Sequence, residues 1–292
     1  MKSSAFTLER PSSMQQALAT KARWGSAAQF LAGGQSLLPA MAMRFSQSEC
    51  LIDLNGLEDL RQIKRIDGKL VIGAMATHAD VIVSPKVVRA TPLLIKAGRY
   101  LAHAAIRNRG TFGGSVALAD PAAEWPAASL LLDASIQIVS DKGRRQVAAK
   151  DFFKGMYRTD LSENELIEAV VFPVQPPDEK NCVLELARRQ GDFATAAVMA
   201  RGVMRDGRLS DLKMAFFAVA DLPLCLPVMD AQLQELFNLK RLADVDELVK
   251  TTLNKKNLRA DLYTQASTKA HLCGVLARRA IVQLSASSAS ST

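Results

Sequence analysis

Short apolar runs alternate with helical spacings along the first 175 residues. Ser12-Ser13 stands where a helix N-cap would, and Met14, Ala17 and Leu18 follow at helical spacing. Ala28-Gln29-Phe30-Leu31-Ala32 predicts a strand that stops at Gly33-Gly34. A short helix is expected over 37–45 and a strand over 50–54, closed by Asn55-Gly56. Two β-like runs around Asp67-Gly68, within 63–74, carry a hairpin signature. Residues 92–105 read as one long apolar helix and 127–132 as another. A second hairpin is expected over 135–140 and 145–148 around Asp141-Lys142-Gly143, and a strand over 166–174. The alternation predicts an α/β layer architecture.

Gln175-Pro176-Pro177-Asp178-Glu179-Lys180 bars both helix and central strand, so a domain boundary is placed there. Strand-like runs at 182–187 and 212–220 follow, then helical patterns around 230–237, 245–252 and 264–284, which predict a smaller α+β unit. The expected division is 1–175, with subdomains of about 1–55 and 56–175, then 178–285, with a Ser/Ala-rich tail at 286–292.

Composition narrows the chemistry. With 292 residues, 49% of them hydrophobic, the chain can bury its cores without disulfide or metal staples. Cys50, Cys182, Cys225 and Cys273 are dispersed with no C-x-x-C pair, which argues against iron–sulfur and zinc centres on this chain and fits reduced core thiols in a cytoplasmic protein. The net charge of +8 comes from scattered pairs such as Arg144-Arg145 and Arg278-Arg279, with no basic stripe, so nucleic acid is not an expected partner. Neither a signal peptide nor a membrane span is expected. His78, His103 and His271 share no spacing that suggests a metal site or triad, and no catalytic residue or metal ligand is assigned.

Two segments carry the chemistry: Leu31-Ala32-Gly33-Gly34-Gln35-Ser36-Leu37 and Thr111-Phe112-Gly113-Gly114-Ser115. Paired glycines let backbone N–H groups converge on an anion, and Ser36, Thr111 and Ser115 add hydroxyls. Neither segment has the G-x-G-x-x-G fingerprint or the lysine of a P-loop. On the residues alone, a pair of tight turns and a cradle for a phosphorylated ligand both stay open.

The strings AGGQSLLP at 32–39, IRNRGTFGGS at 106–115 and ADPAAE at 119–124 resemble the FAD-binding medium subunit of molybdenum hydroxylases. That family includes carbon monoxide dehydrogenase, quinoline oxidoreductase and the flavin domain of xanthine dehydrogenase. Similar strings at 72–74, 77–78, 151–153, 188–193 and 276–280 extend the likeness over nearly the whole chain. The resemblance implies an α+β fold: a vanillyl-alcohol-oxidase-like (PCMH-type) FAD domain of two α/β subdomains, with a smaller C-terminal α+β domain. It implies that Ala32 to Ser36 cradle the FAD pyrophosphate, flanked by Leu31 and Leu37, and that Thr111 to Ser115 meet it from the other side. Glu124 would accept from ribityl or adenosine hydroxyls, Leu161 would pack near the isoalloxazine, and Phe193 would shield one of its faces.

The same resemblance implies that the molybdenum cofactor sits on a large partner subunit and the 2Fe–2S clusters on a small one. The assembly would be a dimer of heterotrimers, and this chain would move electrons from the clusters through FAD to an external acceptor. The substrate leans towards an N-heteroaromatic compound. Two positions depart from the family pattern: Phe193 stands where many relatives carry tyrosine or tryptophan, and Glu185 where some carry lysine. A self-sufficient flavin oxidase of the same fold and a basic binding module are the competing readings.

Overall fold

The computed structural model describes residues 2–286. The expected tail lies outside the described residues from 287 on, and Ser285, just before it, is the last residue of a helix.

The first layer holds strands β1 (Thr7–Glu9), β2 (Ala28–Leu31) and β3 (Cys50–Asp53), with helices α1 (Met14–Trp24) and α2 (Leu37–Ala42). The strands form a parallel sheet in the order β1-β3-β2, which places the C-terminal end of β2, and the glycines after it, at one edge. The hydroxyl of Ser13 accepts from Gln16 N–H and caps α1.

The second layer is a five-stranded antiparallel sheet in the order β4-β5-β10-β6-β7, built from β4 (Ile63–Ile66), β5 (Lys69–Gly73), β6 (Ser135–Ser140), β7 (Gly143–Ala148) and β10 (Leu166–Pro173). Between β5 and β6 run α3 (His78–Val83), α4 (Pro85–Ala90), α5 (Pro92–Gly98), α6 (Ala104–Arg107), α7 (Phe112–Leu118) and α8 (Glu124–Leu131). After β7 come α9 (Ala149–Phe152) and the small hairpin β8 (Phe153–Gly155) and β9 (Arg158–Thr159). The long helix expected over 92–105 is broken. Ala102 turns to φ 28°, and the Arg107 guanidinium donates to the carbonyls of Leu101 and Ala102 at 2.8 and 2.7 Å, holding the turn between α5 and α6.

The third layer is an antiparallel sheet in the order β11-β12-β13-β14, with β11 (Glu179–Leu186), β12 (Ala196–Arg205), β13 (Arg208–Phe217) and β14 (Leu224–Cys225). Helices α10 (Pro227–Asn238), α11 (Val245–Leu253) and α12 (Ala266–Ser285) complete it. The period of two sorts its side chains cleanly. Val183, Ala197, Met199, Ala215 and Phe217 join the core of the second layer, whereas Cys182, Val198, Ala200, Met214 and Phe216 pack with the three C-terminal helices. One hydrophobic core therefore crosses residue 175. The strand β11 begins at Glu179, inside the stretch read as linker. Cys50, Cys182 and Cys273 are buried as expected, but Cys225 is exposed on the short outer strand β14.

Candidate functional site

The first glycine segment leaves the edge of the parallel sheet and opens α2. Only Gly34 of its two glycines takes a left-handed conformation, at φ 72°. Gly33 is needed for a different reason: a Cβ there would stand 2.2 Å from the carbonyl oxygen of Arg109 and 2.7 Å from the Cα of Gly110. The two segments thus touch through bare backbone. Among the described residues the amides of Gly33, Gly34, Gln35 and Ser36 find no acceptor, and the Ser36 hydroxyl is also unpaired; the Gln35 side chain turns back to the Gly33 carbonyl at 3.1 Å. Four adjoining N–H groups on partly exposed residues are thus left over, as an anion site would need.

The second segment is not the loop that its glycines suggest. Thr111 caps α7, and Gly113, Gly114 and Ser115 form its first turn. Its amides are consumed within the protein: Phe112 donates to Ala76 O, Gly113 to Ala74 O, Gly114 to the Thr111 hydroxyl and Ser115 to Thr111 O, all at 2.9–3.1 Å. Gly113 is glycine because a Cβ would meet the Cβ of Ala74 at 2.4 Å and its Cα at 2.7 Å, where α7 crosses the end of β5. This segment therefore offers hydroxyl groups rather than a second backbone nest. The Ser115 hydroxyl has no protein partner, and Thr111 Oγ1 keeps its proton free while accepting from Gly114.

A buried aromatic pair fixes this segment in place. Trp125 Nε1–H donates to His78 Nδ1 at 2.9 Å, and the His78 amide donates to Gly110 O at 2.9 Å. The Trp125 ring stacks on Phe112 at 4.8 Å, and Phe112 meets Phe172 edge-on at 5.8 Å. Burial, with the charge of Arg107 behind it, lowers the His78 pKa to about 4, so the imidazole is neutral with its proton on Nε2. His78 and Trp125 shape the site, although the sequence reading gave neither a role in it. Arg109 is exposed.

Glu124 opens α8 next to Trp125 and is buried, 6% exposed. Burial chiefly, and then the charge of Asp120, raises its pKa. Leu161, just beyond β9, is half-buried and packs on the edge of the main core. Phe193 lies between β11 and β12 and is 67% exposed, with its ring free on the surface. Beside it is a cavity of about 400 Å³, walled by Arg99 and Tyr100 after α5, Glu185 and Ala187 at the end of β11, and the turn from Arg189 to Asp192. That is ample for a ring system of flavin size. The free amides, the unpaired hydroxyls and the bare backbone contact fit the diphosphate of a dinucleotide, and the cavity fits its ring. The described residues contain no cluster that could hold a metal ion, and no helix of the described chain is long and apolar enough to cross a membrane.

Comparison with known proteins identifies the family. Residues 4–175 match the family described as the FAD binding domain in molybdopterin dehydrogenase. The chain is 42% identical over 185 residues to the nicotine 6-hydroxylase medium subunit of Paenarthrobacter nicotinovorans, a match covering 63% of this chain and 65%, just under two thirds, of that subunit. It is 38% identical over 215 residues to the carbon monoxide dehydrogenase medium chain of Hydrogenophaga pseudoflava, covering 74% and 75% of the two chains. The crystal structure of quinoline 2-oxidoreductase from Pseudomonas putida 86 superposes with a TM-score of 0.89 at 33% identity, covering 98% of both chains.

Proposed function

The chain belongs to the family of FAD-binding domains in molybdopterin dehydrogenases, flavoprotein oxidoreductases, and from that premise we propose that it is the medium subunit of a molybdenum hydroxylase, relaying electrons through FAD. The observation that carries the site assignment is the row of four amides at Gly33 to Ser36, unpaired among the described residues, with Gly33 pressed against the Arg109-Gly110 backbone. In this reading Ala32 to Ser36 grip the pyrophosphate between Leu31 and Leu37, and Thr111 and Ser115 add hydroxyl donors while Phe112, Gly113 and Gly114 set their position. Glu124 accepts from a sugar or ribityl hydroxyl. Leu161 and Phe193 border the ring, Phe193 as an exposed face ready to cover it. FAD supplies the redox chemistry, and this chain supplies retention, orientation and exclusion of water.

The electrons come from 2Fe–2S clusters of a small partner subunit and leave to an external acceptor; the hydroxylated compound is handled by a large subunit with the molybdenum cofactor. The lean to an N-heteroaromatic substrate is supported by the likeness to the nicotine and quinoline enzymes. We assign residues 1–175 to FAD and 178–285 to a C-terminal unit, and expect a cytoplasmic dimer of heterotrimers.

The test is the absorbance spectrum of the purified chain. One FAD per chain, with no substrate turnover by the chain alone and co-purification of two further subunits, is the expected result. Turnover by the isolated chain would replace this reading with a self-sufficient flavoenzyme. Ser115→Ala should weaken FAD binding about ten-fold, the worth of one hydrogen bond to a charged group, without lowering Tm.

A further inference from the structure

Glu185 and Glu124 are two carboxyls with no cation to balance them. Glu185 lies half-buried near the end of β11 and forms one wall of the 400 Å³ cavity. Its Oε1 is buried and makes no hydrogen bond among the described residues. Glu124, at the first turn of α8, is buried. Among the described residues, no lysine or arginine nitrogen lies within salt-bridge reach of either, although arginines and lysines elsewhere in the chain take up seventeen such contacts. Arg99 and Arg189 line the same cavity without pairing with Glu185. The phenol of Tyr100, on the same wall, is spent on Val183 O at 3.2 Å.

A carboxyl whose oxygen is buried without a partner or counter-ion, and which feels the charge of a second carboxyl, is cheaper with a proton kept on one of the two. Which one keeps it follows from their surroundings. Glu124 sits at a helix N-terminus and accepts from its own backbone amide, which favours the charged form. Glu185 has neither aid, and burial together with the charge of Glu124 pushes its carboxyl up. The other titratable groups around the pair are Asp120, which acts on Glu124, Tyr100, and the cavity-lining Arg99, Arg189 and Asp192.

We propose that Glu185 is a neutral carboxylic acid at pH 7 and that it faces the cavity as a hydrogen-bond donor. Resting on the flavin reading above, it is then a specificity-determining residue for the bound ring: it offers a proton to an acceptor edge of the ring, where a lysine would offer a full positive charge and an ionised glutamate would offer none. The site thereby recognises the ring with a donor that adds no net charge.

The measurement is infrared spectroscopy of the whole chain carrying ¹³C-labelled glutamate, with FAD and after its removal. A protonated-carboxyl C=O band present at pH 7, shifted on FAD binding and missing from Glu185→Gln, is the expected result. If the wild-type chain shows only ionised carboxylates at pH 7, or if the band survives in Glu185→Gln, the proposal is overturned. Glu124→Gln serves as the second variant: it removes the repelling charge, so the Glu185 band should be lost at lower pH than in the wild type, and a band that persists to higher pH would overturn the proposal. Should the chain bind no FAD at all, the flavin reading fails, while the band still decides the protonation of Glu185. Binding of FAD, followed by fluorescence quenching, should weaken above neutral pH by up to about ten-fold per pH unit in the wild type as the proton is lost. In Glu185→Gln, which keeps a neutral donor, that slope should vanish; an equal slope in both would remove the donor role.

Discussion

At the scale of single residues, the site is shaped by what cannot be larger or charged. Gly33 is closed by the Arg109 carbonyl, whereas Gly34 is required only by its left-handed backbone. Gly34→Ala should therefore cost about 1 kcal/mol, and Gly33→Ala several times as much with loss of FAD, as thermal unfolding and flavin content would show. His78 makes a pH statement. Its pKa is about 4 when folded, against an ordinary value near 6.5, so between these values the unfolded chain binds the extra proton. Stability is full above pH 6.5 and falls as the pH drops towards 4, by about 3 kcal/mol in total. Urea titrations at pH 7 and pH 5 should show that loss, and His78→Gln should be less stable at pH 7 with a smaller dependence on pH. The sequence showed the glycine pairs plainly, because glycine is rarely idle. It could not show that Gly33 and Gly113 serve the protein's own close packing, since Arg109 and Ala74 come against them only in the folded chain.

Among the elements, the strongly periodic ones were legible and the locally weak ones were not. The hairpins about Asp67-Gly68 and Asp141-Lys142-Gly143 formed where their turns and alternation placed them. The strand β12, the most central of its sheet, was missed: Ala196, Ala197, Ala200 and Gly202 have little intrinsic preference for a strand, and only pairing with β11 and β13 makes them one. Helix α7 was read as a loop for the same reason, its glycines being poor helix formers held by the Thr111 cap and the Trp125 stack. The third sheet has its own clamp. Arg201 on β12 pairs with Glu179 on β11 at 3.0 Å and with Asp133, before β6, at 2.8 Å, and both Arg201 and Glu179 side chains are largely buried. Arg201→Ala leaves Glu179 without its partner in a desolvated place and should cost about 3 kcal/mol, read as a shift in the urea midpoint.

Across the whole molecule, the division at 175 separates stretches of sequence but not cores. Val183, Ala197, Met199 and Phe217 reach back into the core of the FAD-binding layer. A fragment ending at residue 175 should therefore expose that apolar face and fail to unfold cooperatively, binding a hydrophobic dye and retaining no FAD. A fragment with a sharp two-state transition and bound flavin would show that the shared core is dispensable. The linker prolines interrupt the chain between β10 and β11, but nothing in the local pattern reveals that alternate residues of β12 serve two different masters.

A sheet with dry packing on both faces is a wall rather than a hinge. The C-terminal helices cannot swing open without tearing apolar contacts on either side, so on the proposed site cofactor exchange is expected at the rim, through the stretch from Arg188 to Phe193 and its neighbour Tyr263, against whose ring Arg188 rests at 4.9 Å. Loading is then governed by the opening of a small surface turn, and release from an assembled complex should be slow whenever a partner surface covers that turn.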